Sequence, residues 1–65
     1  MRIAKAEMKK FANAINHIDE SLADDTHGFE SALACSGITF SDERFRFYEY
    51  CKRTGNLKML ALLET

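Results

Sequence analysis

Apolar residues follow one another at alternating steps of four and three along the first third of the chain. The residues of this stripe are Ala4, Met8, Phe11, Ile15, Ile18 and Leu22. Such steps place side chains along one side of an α-helix. The pattern predicts a long first helix. Its stripe either packs inside a bundle or forms a short coiled-coil seam with a second copy.

The following segment predicts a short second helix. Residues 24–26 offer turn and capping side chains before it. Gly37 ends the helix, and the positions of Leu33 and Ile38 around this glycine match the apolar pair of a Schellman cap. The predicted inner face of the helix consists of Phe29, Ala32, Leu33 and Ser36.

The third helix has a clear start and a clear end. Ser41 is the predicted N-cap, and Phe40 and Phe45 are spaced as a hydrophobic staple around it. Basic residues followed by Gly55 mark the end of this helix. Asn56 can then cap a fourth helix that is apolar on nearly every side, with Leu57, Met59, Leu60, Leu62 and Leu63.

These elements predict an all-α fold. The sequence contains no proline and no alternating pattern long enough for a strand, and no repeat or linker divides it. We therefore expect residues 1–65 to form a single helical domain, a small three- to four-helix bundle with a helical hairpin at its C-terminus.

Composition and charge argue against two classes of function, nucleic-acid binding and membrane insertion. The chain has 65 residues, of which 46% are hydrophobic and 29% charged, with a formal net charge of −1. This balance gives no general attraction to nucleic acid or to a membrane surface. The longest apolar run, residues 59–63, is far too short to span a bilayer. With two cysteines, which we expect to be free and buried, the chain is predicted to be cytoplasmic.

The third helix carries aromatic residues on two sides. We expect Phe45 and Tyr48 to lie in the core and the opposite side to remain partly exposed. Aromatic and arginine side chains together are typical of protein interfaces. The predicted partner-binding residues on the exposed side are Phe47, Tyr50, Arg46, Arg53 and Glu49.

The function predicted from this surface is that of a non-enzymatic protein–protein interaction module. Its size and its lack of recognisable chemistry are typical of regulators or inhibitors of larger complexes, including those encoded by phages and mobile elements. The identity of the protein partner does not follow from the sequence.

The first helix suggests self-association as an alternative. Lys5 and Lys9 lie near its start, and Asp19 and Glu20 lie near its end. An antiparallel homodimer would place each basic half beside an acidic half. Equally, these side chains can simply be solvated.

A helix-turn-helix-like DNA-binding regulator is the alternative function. The second and third helices have its outline, and Arg44 and Arg46 supply positive charge. Against this alternative, Asp42 and Glu43 occupy the start of the third helix, which would approach the DNA phosphates. The phosphates would repel their carboxylates.

Metal and catalytic sites are weakly indicated, and we predict neither a cofactor nor an enzyme. The potential zinc ligands lack the short paired spacings of structural sites: His17, His27, Cys35 and Cys51. The residues with a catalytic pattern fall in and beside a polar turn, where such side chains commonly serve as turn formers: Ser21, Asp24, Asp25 and His27.

Overall fold

The computed structural model describes residues 2–25 and 27–65, and in these residues the chain forms four α-helices and no strand. The helices are α1 (Lys5–Ala23), α2 (Phe29–Cys35), α3 (Ser41–Thr54) and α4 (Leu57–Leu63). Helix α1 packs on α2 and crosses α3, and α3 pairs with α4. The predicted all-α bundle with a C-terminal helical hairpin is confirmed.

The turn after α2 has the predicted Schellman geometry. The Ile38 N–H donates to the Leu33 carbonyl oxygen at 3.2 Å, and the Gly37 N–H donates to that of Ala34 at 3.0 Å. Gly37 has a φ of 85°, in the left-handed region that glycine adopts without strain. Leu33 and Ile38 are both buried, so the cap also contributes an apolar pair to the core.

The hairpin between α3 and α4 is equally well defined. Gly55 has a φ of 71°, and the Asn56 N–H donates to the Cys51 carbonyl oxygen at 2.9 Å. The Asn56 side-chain oxygen accepts from the Met59 N–H at 3.1 Å. Asn56 is therefore the N-cap of α4, as predicted.

Two helix starts differ from the prediction. The N-cap of α3 is Phe40, so the helical Ser41 does not cap it. Glu43 stands at the third helical position, and the Phe40 and Thr39 N–H groups contribute to lowering its pKa. The N-cap of α2 is Gly28. Thr26, in the predicted turn before α2, lies outside the described residues.

The core lies where the four helices meet. On α1 the predicted stripe faces inward: Phe11 and Ile18 are buried, and Ile15 and Leu22 pack against the core. Met8 is 41% exposed. The buried residues contributed by all parts of the fold are Ile3, Phe11, Ala14, Ile18, Ala32, Leu33, Ile38, Phe47, Cys51 and Met59.

Helix length and composition bear on membrane insertion. Across residues 2–25 and 27–65, none of the helices combines the length and the apolar character needed to cross a bilayer.

Candidate protein-binding surface

The aromatic side chains of α3 face the opposite way from the prediction. Phe47 is fully buried, with 0% of its surface exposed, whereas Phe45 is 55% exposed. The Phe47 ring packs on that of Phe11 in α1, with centroids 5.6 Å apart and ring planes at 63°. The prediction that Phe47 contacts a partner is wrong, and so is the prediction that Phe45 lies in the core.

The residues one and two turns further along α3 explain this orientation. Lys52 comes one turn after Tyr48 and two turns after Phe45, so burying that side would also bury an ammonium group. Cys51 comes one turn after Phe47, and its small side chain is fully buried. Burial raises the pKa of the Cys51 thiol to about 11. The positions of Lys52 and Cys51 were the sequence signal that identifies the buried side.

Arg46, a predicted partner-binding residue, is bound within the chain. Its guanidinium group donates to both carboxylate oxygens of Glu7 in α1, with Nη2 to Oε1 at 2.6 Å. Nη2 also donates to the Arg2 carbonyl oxygen at 2.8 Å. These hydrogen bonds lower the pKa of Glu7 and raise that of Arg46. Arg46 therefore serves first to join α3 to α1.

The remaining predicted partner-binding residues lie in three different surroundings. Tyr50 is half-buried, and its ring lies 5.6 Å from that of Phe11. Glu49 is half-buried, with its carboxylate 3.5 Å from the Lys52 ammonium group. Arg53 is exposed. Of the predicted set, Arg53 is exposed, and Arg46, Glu49 and Tyr50 each remain partly accessible to a partner.

Two further ion pairs hold α3 in place. Lys10 of α1 donates to Glu43 at 2.6 Å. Arg44 makes a bidentate pair with Glu30 of α2, with both distances 2.8 Å. Hydrogen bonding to these cations lowers the pKa values of Glu43 and Glu30. Arg44, one of the cations on which the DNA-binding alternative depends, is therefore already paired with a carboxylate, as is Arg46.

The accessible apolar surface of α3 is centred on Phe45. On one side of its ring lies a groove of about 270 Å³, and on the other lies a shallow hollow of about 510 Å³. We call the residues that line the groove the Phe45 surface; they are Ser41, Arg44, Phe45, Tyr48 and Leu63. The hollow is lined by Ser41, Asp42, Phe45 and Arg46. The Phe45 ring thus projects as a ridge between two depressions.

Neighbouring contacts fix the shape of the Phe45 surface. The Tyr48 hydroxyl donates to Glu64 Oε1 at 2.9 Å, which ties α3 to the end of α4. This hydrogen bond raises the pKa of Tyr48. The Lys52 ammonium group lies 5.7 Å from the centre of the Tyr48 ring, within the range of a cation–π contact. Tyr48 is thereby held as one wall of the groove beside Leu63.

The charged residues of α1 lie on a polar surface. Lys5, Lys9 and Glu20 are exposed, and Asp19 is half-buried, where its carboxylate accepts from Lys58 of α4 at 2.9 Å. Most of the apolar stripe of this helix packs inside the chain. These residues thus present charge to a second copy but little apolar area.

The histidines and cysteines occupy separate environments. Cys51 is in the core, whereas Cys35 is exposed, which corrects the expectation that both are buried. Cys35 and His17 line a groove of about 450 Å³ between α1 and the end of α2. No group of three or more potential metal ligands occurs in the described segments 2–25 and 27–65.

The residues with a catalytic pattern are not gathered into one cavity. Ser21 is buried in α1, while Asp24, Asp25 and His27 are exposed beyond its end.

Comparison with protein-family models, with curated proteins and with solved structures finds no match to this chain. Its function must therefore be inferred from its own residues and their geometry.

Proposed function

We propose that this chain is a non-enzymatic protein-interaction module that binds a protein partner through the Phe45 surface. The observation that carries the proposal is the position of Phe45, 55% exposed between two depressions. A 65-residue chain has few large apolar side chains with which to build a core. Leaving a phenyl ring in water gives up burial that would stabilise the fold, and a partner that covers this ring recovers it.

The neighbours of Phe45 support the same function. Interface hot spots are enriched in tyrosine and arginine placed around a pocket, and Tyr48 and Arg44 flank this groove. Both side chains are already held, Tyr48 by Glu64 and Arg44 by Glu30. Little side-chain entropy is lost when a partner contacts groups that are ordered beforehand.

In this proposal the module is a cytoplasmic regulator or inhibitor of a larger complex, of the kind that phages and mobile elements encode. A surface formed by one helix and the end of another suits binding to a groove or helix on a larger protein. The module would act by covering a surface that the larger complex needs.

The test is capture of a partner from native lysate by the immobilised chain. Phe45→Ala removes the exposed ring, and we expect it to reduce capture at least about tenfold while helical circular dichroism remains unchanged. Met8→Ala is the matched control, because Met8 is also exposed but lies on α1 and does not line the groove or the hollow beside Phe45. Equal loss of capture by both variants, or by neither, would contradict the proposal.

The DNA-binding alternative has less support. Arg44 and Arg46 would have to exchange Glu30 and Glu7 for phosphates, which costs the hydrogen bonds that now join the helices. Duplex binding that weakens steeply with salt would favour this alternative over the protein-binding module.

A further inference from the structure

We infer that, when no other partner is bound, the Phe45 surface is covered by the α3 helix of a second copy, packed antiparallel about a two-fold axis. This inference rests on the proposed function, because it identifies an occupant for the same surface. It replaces α1 with α3 as the self-association helix.

The shape of the Phe45 surface suits contact with a copy of itself. The Phe45 ring projects beside a groove of about 270 Å³ that Tyr48 and Leu63 help to line. A two-fold axis repeats every contact, so each copy can cover the exposed Phe45 ring of the other. A ridge beside a matching groove is what a self-complementary surface requires.

The charges of α3 favour an antiparallel arrangement of the two copies. Asp42 lies near the start of α3, and Lys52 and Arg53 lie near its end; all three are exposed. Asp42 and Arg53 are eleven residues apart, about three helical turns, so they lie on the same side of the helix. In an antiparallel pair each Asp42 approaches Lys52 and Arg53 of the other copy.

The order of these residues along α3 places apolar contacts at the centre of the pair. The midpoint between Asp42 and Lys52 falls at residue 47, within two positions of both Phe45 and Tyr48. The charges then lie at both ends of the paired helices, as in an apolar interface core with a polar rim. Glu49 lies two positions from this midpoint, where the Lys52 ammonium group of its own chain, 3.5 Å away, compensates its charge.

The size of the surface sets the strength of the pairing. Helix α3 has 14 residues and is about 21 Å long, so the paired faces bury less than the roughly 1,200 Å² at the low end of stable interfaces. We therefore expect weak association, with a dissociation constant in the micromolar range or above. A foreign partner that uses the same surface would displace the second copy.

The experiment is sedimentation equilibrium over a range of concentrations. The wild-type mass should rise from the monomer value of 7.4 kDa toward twice that value. Phe45→Ala should weaken association about tenfold or more, and Met8→Ala should leave it unchanged. The thermal unfolding of both variants is measured as a control. If it matches that of the wild type, the masses compared are those of folded chains.

Charge reversal tests the antiparallel arrangement. The Asp42→Lys variant is positive at both ends of α3, and the Lys52→Glu, Arg53→Glu variant is negative at both ends. Each should be monomeric alone, whereas an equal mixture should dimerise, because both ends of a mixed pair then carry opposite charges.

The contrary results distinguish failure of the α3 pairing from failure of the proposed function. A wild type that stays monomeric, or a mixture that does not dimerise, overturns the α3 pairing. A dimer that Phe45→Ala leaves intact also overturns it. The protein-binding function fails separately, if Phe45→Ala leaves capture of a foreign partner unchanged.

Discussion

Phe47 is the side chain through which α3 is fixed in the bundle. It has no exposed surface, and its ring packs on Phe11 from α1. Phe45, two residues earlier, points into solvent. We assign these two phenylalanines separate tasks: Phe47 stabilises the core, and Phe45 contacts a partner in the proposed function.

Replacing each phenylalanine in turn separates these tasks. Phe47→Ala should lower the free energy of unfolding by about 3–5 kcal/mol, because it leaves a cavity in the core. Small domains have about that much stability in total, so much of the population would unfold. Phe45→Ala should change the free energy of unfolding by less than about 1 kcal/mol. Urea unfolding followed by circular dichroism measures the free energy of unfolding of both variants. Equal losses of stability in the two variants would contradict the orientation of α3.

At the residue scale the sequence predicted some features and missed others. The Schellman cap at Gly37 and the Asn56 cap depend on local backbone geometry, and both are confirmed. The choice between Phe45 and Phe47 depends on how α3 meets α1, which is a tertiary contact. Only the positions of Cys51 and Lys52 indicated it in advance.

At the scale of the helices, charged side chains join α3 to α1 and to α2. Glu7 and Lys10 of α1 pair with Arg46 and Glu43 of α3. Glu30 of α2 pairs with Arg44 of α3 in a bidentate contact. The sequence showed these charges but not their partners, because residues 14 to 39 positions apart meet only in the folded chain.

These pairs predict how stability depends on pH. The pKa values of Glu7, Glu30 and Glu43 lie below their ordinary value of 4.5 in the folded chain. A lowered folded pKa means that the contribution to stability is present above 4.5 and is lost as the pH falls through the folded values. The midpoint temperature of thermal unfolding should therefore be constant near neutral pH and fall on acidification to about pH 3.

A variant tests whether these paired carboxylates cause the loss of stability at low pH. Glu7→Gln should lower the midpoint by a few degrees at neutral pH and make it less sensitive to acid, because one lowered pKa is removed. Glu20→Gln, at an exposed carboxylate elsewhere on α1, serves as the control. A wild-type midpoint that is the same at pH 7 and at about pH 3 would contradict a stabilising role for these pairs.

At the scale of the whole molecule, the described residues leave four large apolar side chains exposed, Met8, Phe40, Phe45 and Leu57, and of these only Phe45 lines the Phe45 surface. Helix α1 turns most of its stripe inward and shows solvent a polar face with Lys5, Lys9 and Glu20. Helix α3 leaves Phe45 in a surface that α4 completes with Leu63. Hydrophobic periodicity predicted the all-α bundle, since each helix buries one face. It could not locate the proposed binding surface, because the apolar side chains of that surface are ones that the core leaves uncovered.

The central claim is that the Phe45 surface, and not the charged face of α1, is where this chain meets a second copy of itself. The most direct test is a series of ¹H–¹⁵N spectra of the wild type from micromolar to millimolar concentration. We predict that amide shifts change with concentration along the exposed side of α3, between Ser41 and Arg53, and at Leu63 in α4. Changes centred on Lys5, Lys9 and Glu20, or spectra independent of concentration, would contradict the claim.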